Sequence, residues 1–142
     1  MAAEVEAHRG VTITRIGNTK YVVTNERGGE ITISTGEGGD FTPVELLLTA
    51  IGGCTAIDVD ILTSRRSEPD AFTVRVDAEK VSDRQGNHLS DIVVTFQIGF
   101  PDTPGGEQAR AILPDIVRKS HDRLCSVGRT VEIGTPIATR IS

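Results

Sequence analysis

Two residues in this chain could carry redox or nucleophilic chemistry, Cys54 and Cys125, and they are its only cysteines. Cys54 lies in ELLLTAIGGCTAIDVD (residues 45–60), directly behind a glycine pair, and Cys125 lies in LCSVGRT (residues 124–130). The opening MAAEVEAHRG is polar and charged, so it does not read as a secretory signal. Two cysteines without such a signal point to the cytoplasm, where a standing structural disulfide is not expected. The thiols are then either inert or redox-active.

Three side chains near them bear on that choice. Asp58 follows Cys54 by four residues, on nearly the same helical face. An ionised carboxylate there raises a thiol pKa, the wrong direction for a nucleophile, unless a cation or a backbone group ties it up. Arg129, four residues after Cys125, is a local cation. Cys54, Cys125 and His121 could together ligate zinc with one position open. No CxxC or HxxxH spacing supports this, and no metal or other cofactor is expected. His8 and His88 read as exposed tail and turn positions.

The elements that must hold these groups can be read from periodicity and turn chemistry. Val11–Ile16, Lys20–Asn25 and Glu30–Ser34 are short β-branched runs separated by Gly17-Asn18 and Arg27-Gly28-Gly29, the pattern of an antiparallel meander. After the Gly-rich TGEGGDFTP (residues 35–43), Thr42, Pro43 and Glu45 form a capping-box signature for a helix running to about Arg66. Ala71–Val81 and Leu89–Phe100 alternate around the turn Arg84-Gln85-Gly86-Asn87, as a long hairpin does. Helical periodicity returns over 107–124, interrupted by Pro114, and Thr135–Ile141 reads as a closing strand. The order is β-β-β-α-β-β-α-β, an α+β arrangement, and no repeat or linker divides residues 1–142, so a single domain is expected.

Within the first helix, apolar residues fall on every side between 46 and 62. A helix apolar all round has to be enclosed. A contact between subunits would enclose it most easily, so the pattern suggests a homodimer. Asp58 and Asp60 argue against a membrane span. Gly52 and Gly53 each cost about 1 kcal/mol relative to Ala in a helix interior, which implies close approach of another group or tight packing beside Cys54. Net charge is −5 without a basic stripe, and aromatics are 4%, which argues against a nucleic-acid partner.

With Pro43 and ELLL opening the helix, GGCTAID following and LCSVGRT after the second helix, the sequence resembles the OsmC/Ohr family over about Val11 to Ile141. The resemblance implies an intertwined homodimer with an active site at each subunit interface. It also implies a thiol-dependent peroxidase acting on organic hydroperoxides or, less efficiently, hydrogen peroxide. Cys54 would attack as a thiolate and become a sulfenic acid. Cys125 would condense with it to a disulfide, and a cellular dithiol would reduce that. An apolar pocket at the interface would be lined by Leu47, Leu48 and Ile51, with Phe41 as the nearby ring. Better-studied members of the family carry a glutamate directly after the helix-opening proline, where this chain has Val44. Glu45, one residue on, should point away from Cys54 and serve the cap. Arg15 and Arg27 are candidates for the family's activating arginine, Arg15 being preferred. The departure resembles a subgroup opening Pro-x-Glu-Leu-Leu. It keeps an alternative open, a non-enzymatic dimer that senses redox state or binds a small apolar ligand.

Overall fold

In the computed structural model, which describes residues 3–142, the chain forms two compact units, Met1–Leu47 and Leu48–Ser142. In the first unit, β1 (Val11–Gly17), β2 (Lys20–Asn25) and β3 (Glu30–Ile33) pair as an antiparallel meander in that order. The turn between β2 and β3 is built by Asn25, whose Oδ1 accepts from the N–H groups of Arg27 and Gly29, both at 2.9 Å. Gly28 sits there at φ 91°, a left-handed conformation that glycine adopts without strain.

Helix α1 (Pro43–Ser64) begins at the expected capping box. The Thr42 N–H donates to Glu45 Oε1 at 2.9 Å, and the Glu45 N–H donates to Thr42 Oγ1 at 3.2 Å. Two orphan donors are thus satisfied reciprocally. The helix ends at Ser64, slightly short of Arg66, whose guanidinium reaches the Leu62 carbonyl at 3.4 Å.

In the second unit, β4 (Ala71–Asp83) and β5 (Gly86–Gly99) form a long two-stranded antiparallel hairpin. Helix α2 (Pro104–Lys119) starts earlier than its periodicity suggested, because Thr103 caps it, accepting from Gly106 N–H at 3.0 Å with Pro104 at the first position. Pro114 is accommodated inside α2. The chain then opens into one wide π-turn, Ser120–Leu124, before Cys125 and the short α3 (Ser126–Glu132).

The expected closing strand, Thr135–Ile141, does not form: these residues carry no regular structure, and Ile137 and Ile141 are almost fully exposed. A strand exists only through a ladder partner, and Pro136 lacks an N–H to give to one. The element order is therefore β-β-β-α-β-β-α-α, still α+β.

Helix α1 is apolar enough and long enough to cross a membrane, but it lays one face on the hairpin. Ile51, Gly52, Thr55, Val59 and Thr63 are its buried positions, a single stripe. Leu47, Ile57 and Ile61 are exposed on the other side, so the single chain does not enclose the helix as its composition leads one to expect. The glycine pair divides between these faces. A Cβ on Gly52 would run into Val76 Cγ2 of β4, whereas one on Gly53 would meet nothing within 4 Å. Both alanine variants gain the same helix propensity, so Gly52→Ala should be less stable than Gly53→Ala by about 1–3 kcal/mol, the usual cost of overpacking. Urea midpoints of the two variants measure this difference.

Candidate active site

The two cysteines meet within the second unit. Both are free thiols, and Cys54 stands close enough to Cys125 to act on its thiol. They differ in setting. Cys54 is half-buried on the flank of α1, toward the uncovered stripe that carries Leu47, Ile57 and Ile61. Cys125 is 3% exposed and stands at the corner between the π-turn and α3, where its Sγ accepts from the Gly128 N–H at 3.2 Å.

Burial pushes the Cys125 thiol pKa up, because an ion is disfavoured away from water. The Gly128 N–H opposes this, while the neighbouring Cys54 side chain and the charges of Cys54 and Asp58 add to it. The thiolate form of Cys125 is therefore disfavoured.

Among the described residues, Asp58 is tied up neither by a cation nor by backbone but by a hydroxyl. Ser120 Oγ donates to Asp58 Oδ2 at 2.7 Å, and Thr55 Oγ1 lies 2.7 Å from the same Ser120 oxygen. Ser120 has one hydroxyl proton, already given to Asp58, so Thr55 is the donor in the second bond. The carbonyl of Ser120 accepts from the Cys125 N–H at 2.9 Å. Ser120 and Thr55 were not singled out in the sequence. Thr55 adjoins Cys54, but nothing local marks a serine at the end of α2 as its partner.

The other expected site residues are scattered. Arg129 Nη2 is bonded to Glu132 Oε1 at 2.7 Å, so its charge is already paired with a carboxylate. His121 lies between Asp122 (2.9 Å) and Glu132 (3.1 Å). Among the described residues no three His, Cys, Asp or Glu side chains are grouped to hold a metal ion. Arg15 is exposed on β1, opposite Tyr21 in the register, and belongs to the first unit. Val44 is 39% exposed at the start of α1.

A cavity of about 490 Å³ opens beside Cys125. Ile51, Thr55, Ile92, Val94 and Phe96 form much of its wall, with Arg118, His121 and Glu132 as its charged or titratable members. Of the pocket residues read from sequence, Ile51 lines it; Leu48 does not, and Phe41 and Leu47 lie in the first unit, half-exposed.

Residues 36–140, about three quarters of the chain, match the family described as OsmC-like protein. The chain belongs to the OsmC-like family. An uncharacterized protein of Mycobacterium tuberculosis (strain ATCC 25618 / H37Rv) is 26% identical over 126 residues, covering 88% of this chain and 90% of that protein. An OsmC-like protein of unknown function from Vibrio cholerae has a similar fold, with TM-score 0.72 and 14% identity over 89% of this chain and 94% of that one. So does the organic hydroperoxide resistance protein OhrB of Bacillus subtilis, with TM-score 0.55 and 15% identity over 89% of this chain and 92% of that one. At these identities the structures establish the fold.

The two OsmC-type thiols should separate by reactivity. Iodoacetamide should label Cys54 first at neutral pH. A raised pKa means less thiolate at any given pH, so Cys125 labelling should rise only beyond the ordinary thiol range. Peptide mass spectrometry across a pH series reads both rates, and equal labelling of both at neutral pH would contradict the assignment.

Proposed function

We propose that this OsmC-like protein is a thiol-dependent peroxidase that reduces organic hydroperoxides, with Cys54 as the attacking sulfur and Cys125 as the resolving one. The observation that carries this reading is the asymmetric pair: a half-buried Cys54 beside a buried Cys125, both free thiols. The Cys54 thiolate attacks one oxygen of ROOH, the O–O bond breaks, and the alkoxide takes a proton to leave as ROH. Cys54 is left as a sulfenic acid, S–OH. The Cys125 sulfur then displaces that hydroxyl, giving the Cys54–Cys125 disulfide and water. A cellular dithiol reduces the disulfide by exchange and is itself oxidised.

Several observations support the choice of substrate and setting. The apolar cavity beside Cys125 offers room for an alkyl group that hydrogen peroxide lacks. The family includes proteins named for organic hydroperoxide resistance, such as the Bacillus subtilis protein. We place the protein in the cytoplasm, where reductants keep such thiols cycling. Arg15 remains the candidate cation for the Cys54 thiolate, with Arg129 in a supporting position, while Asp58 supports the site through Ser120 and not the thiolate itself. The alternative, a non-enzymatic redox-sensing or apolar-ligand-binding dimer, is favoured by the pairing of Arg129 with Glu132, which already neutralises that guanidinium.

We further propose that a second copy covers the stripe of Leu47, Ala50, Cys54, Ile57 and Ile61. Its alternating three- and four-residue spacing is that of a helix-packing seam, and its three large members are 40–62% exposed.

Two experiments test these readings. In stopped-flow oxidation by an alkyl hydroperoxide, wild type should outpace free cysteine by orders of magnitude. Cys54→Ser should show no fast phase, and Cys125→Ser should give one turnover that stops at the sulfenic acid. Oxidation no faster than free cysteine, with no Cys54–Cys125 disulfide by mass spectrometry, would leave the non-enzymatic alternative standing. For the dimer, light scattering should give twice the chain mass, and Ile57→Asp should shift it toward the monomer. A monomeric wild type would refute that part.

A further inference from the structure

Cys125 can resolve a sulfenic acid only if its sulfur is delivered to Cys54, and the segment that carries it is a bend, the wide π-turn Ser120–Leu124. Turns of this kind are irregular interruptions of a helix and are common at functional sites. Something must hold the bend to the helix that bears Cys54.

Ser120 makes the connection from both ends of one residue. Its carbonyl accepts from the Cys125 N–H at 2.9 Å, closing the turn on the cysteine. Its hydroxyl, fully buried, bridges two side chains of α1, accepting from Thr55 at 2.7 Å and donating to Asp58 at 2.7 Å. Those partners flank Cys54 at one residue and four residues beyond it. The same residue thus grips the turn around Cys54 and the backbone of Cys125. We propose that Ser120 is the positioning residue of the resolving thiol. Locked between Thr55 and Asp58, it fixes the Cys125 corner against the Cys54 turn, and so sets the rate of disulfide closure without entering the first reaction with peroxide.

This inference rests on the redox-pair reading of the two cysteines, and it concerns the second step alone: Cys54–SOH and Cys125–SH become a disulfide and water. A serine that merely filled buried space would alter stability and leave that step untouched. The hydrogen bonds predict more. Ser120→Ala removes both bonds to α1, and Asp58→Ala removes the acceptor from the opposite side. Asp58→Asn keeps an acceptor oxygen for Ser120.

In single turnovers with an alkyl hydroperoxide, dimedone trapping and mass spectrometry follow the sulfenic acid and the disulfide separately. Ser120→Ala and Asp58→Ala should form sulfenic acid at the wild-type rate but close the disulfide about tenfold or more slowly, as expected when reacting groups lose their alignment. Asp58→Asn should close within about twofold of wild type, since the bond geometry survives. Closure at the wild-type rate in either alanine variant, with the fold intact by circular dichroism, would overturn the proposal.

Equilibration with oxidised and reduced dithiothreitol supplies a readout free of peroxide. The cysteine pair gives up two hydrogens to the cyclic disulfide, and the position of equilibrium reports how well the sulfurs are held together. The alanine variants should shift it about tenfold toward the dithiol. An unshifted equilibrium in either variant also counts against Ser120. A wild type that forms the disulfide here but ignores peroxide would fail the peroxidase reading and leave the positioning role intact. Should Ser120→Ala not fold, Asp58→Ala against Asp58→Asn decides the matter alone.

Discussion

The close approach of α1 to the β4–β5 hairpin at Gly52 is the constraint on which the rest of the site depends. With no side chain at that position, the Val76 methyl group fits against the helix backbone, and Ile51, Thr55, Val59 and Thr63 are turned inward with it. Rotation of the helix is thereby fixed. Cys54 falls on the flank instead of the buried stripe, and Asp58 falls where it can meet α2. A bulkier residue at 52 would change the angle at which every later side chain of GGCTAID is presented. The glycine that costs helix propensity is thus what sets the orientation of the thiol two residues later.

Orientation alone does not make a reactive pair, because two equivalent thiols have no direction. Direction comes from unequal burial. Cys125 is enclosed, and every influence on it except the Gly128 N–H favours its protonated form. Asp58, which looked harmful from its spacing to Cys54, takes part in this asymmetry: its negative charge disfavours a thiolate at Cys125. A carboxylate that would be a poor neighbour for the attacking sulfur is a useful one for the sulfur that has to wait.

Legibility in the sequence followed the range of the interactions. The meander and the α1 capping box depend on residues within four positions of one another, so the Arg27-Gly28-Gly29 turn and the Thr42–Glu45 pair could be read directly. The alternation in 71–100 was visible for the same reason. The expected last strand failed because Thr135–Ile141 has the pattern of a strand but no ladder partner in this chain, a fact that pattern cannot hold. Cys54 and Cys125 could be paired only through family resemblance. Ser120 escaped notice because a serine at a helix end is common, and its two partners lie more than sixty residues away in sequence. The cavity shows the same limit. Ile51 could be anticipated from the helix, but Ile92, Val94 and Phe96 join it only because the hairpin folds over α1.

The exposed stripe of α1 completes the physical argument. A chain that buries Gly52 against a hairpin while leaving Leu47, Ile57 and Ile61 in water has not satisfied its own composition. Burying what is still exposed of those three side chains would yield about 1 kcal/mol each at the usual transfer value. The same act would sequester Cys54, which shares that face. Exclusion of water would narrow access to the sulfur to whatever apolar peroxide can enter. Enclosure of the helix and protection of the thiol are therefore one event, and the sequence feature that demands the first also provides the second.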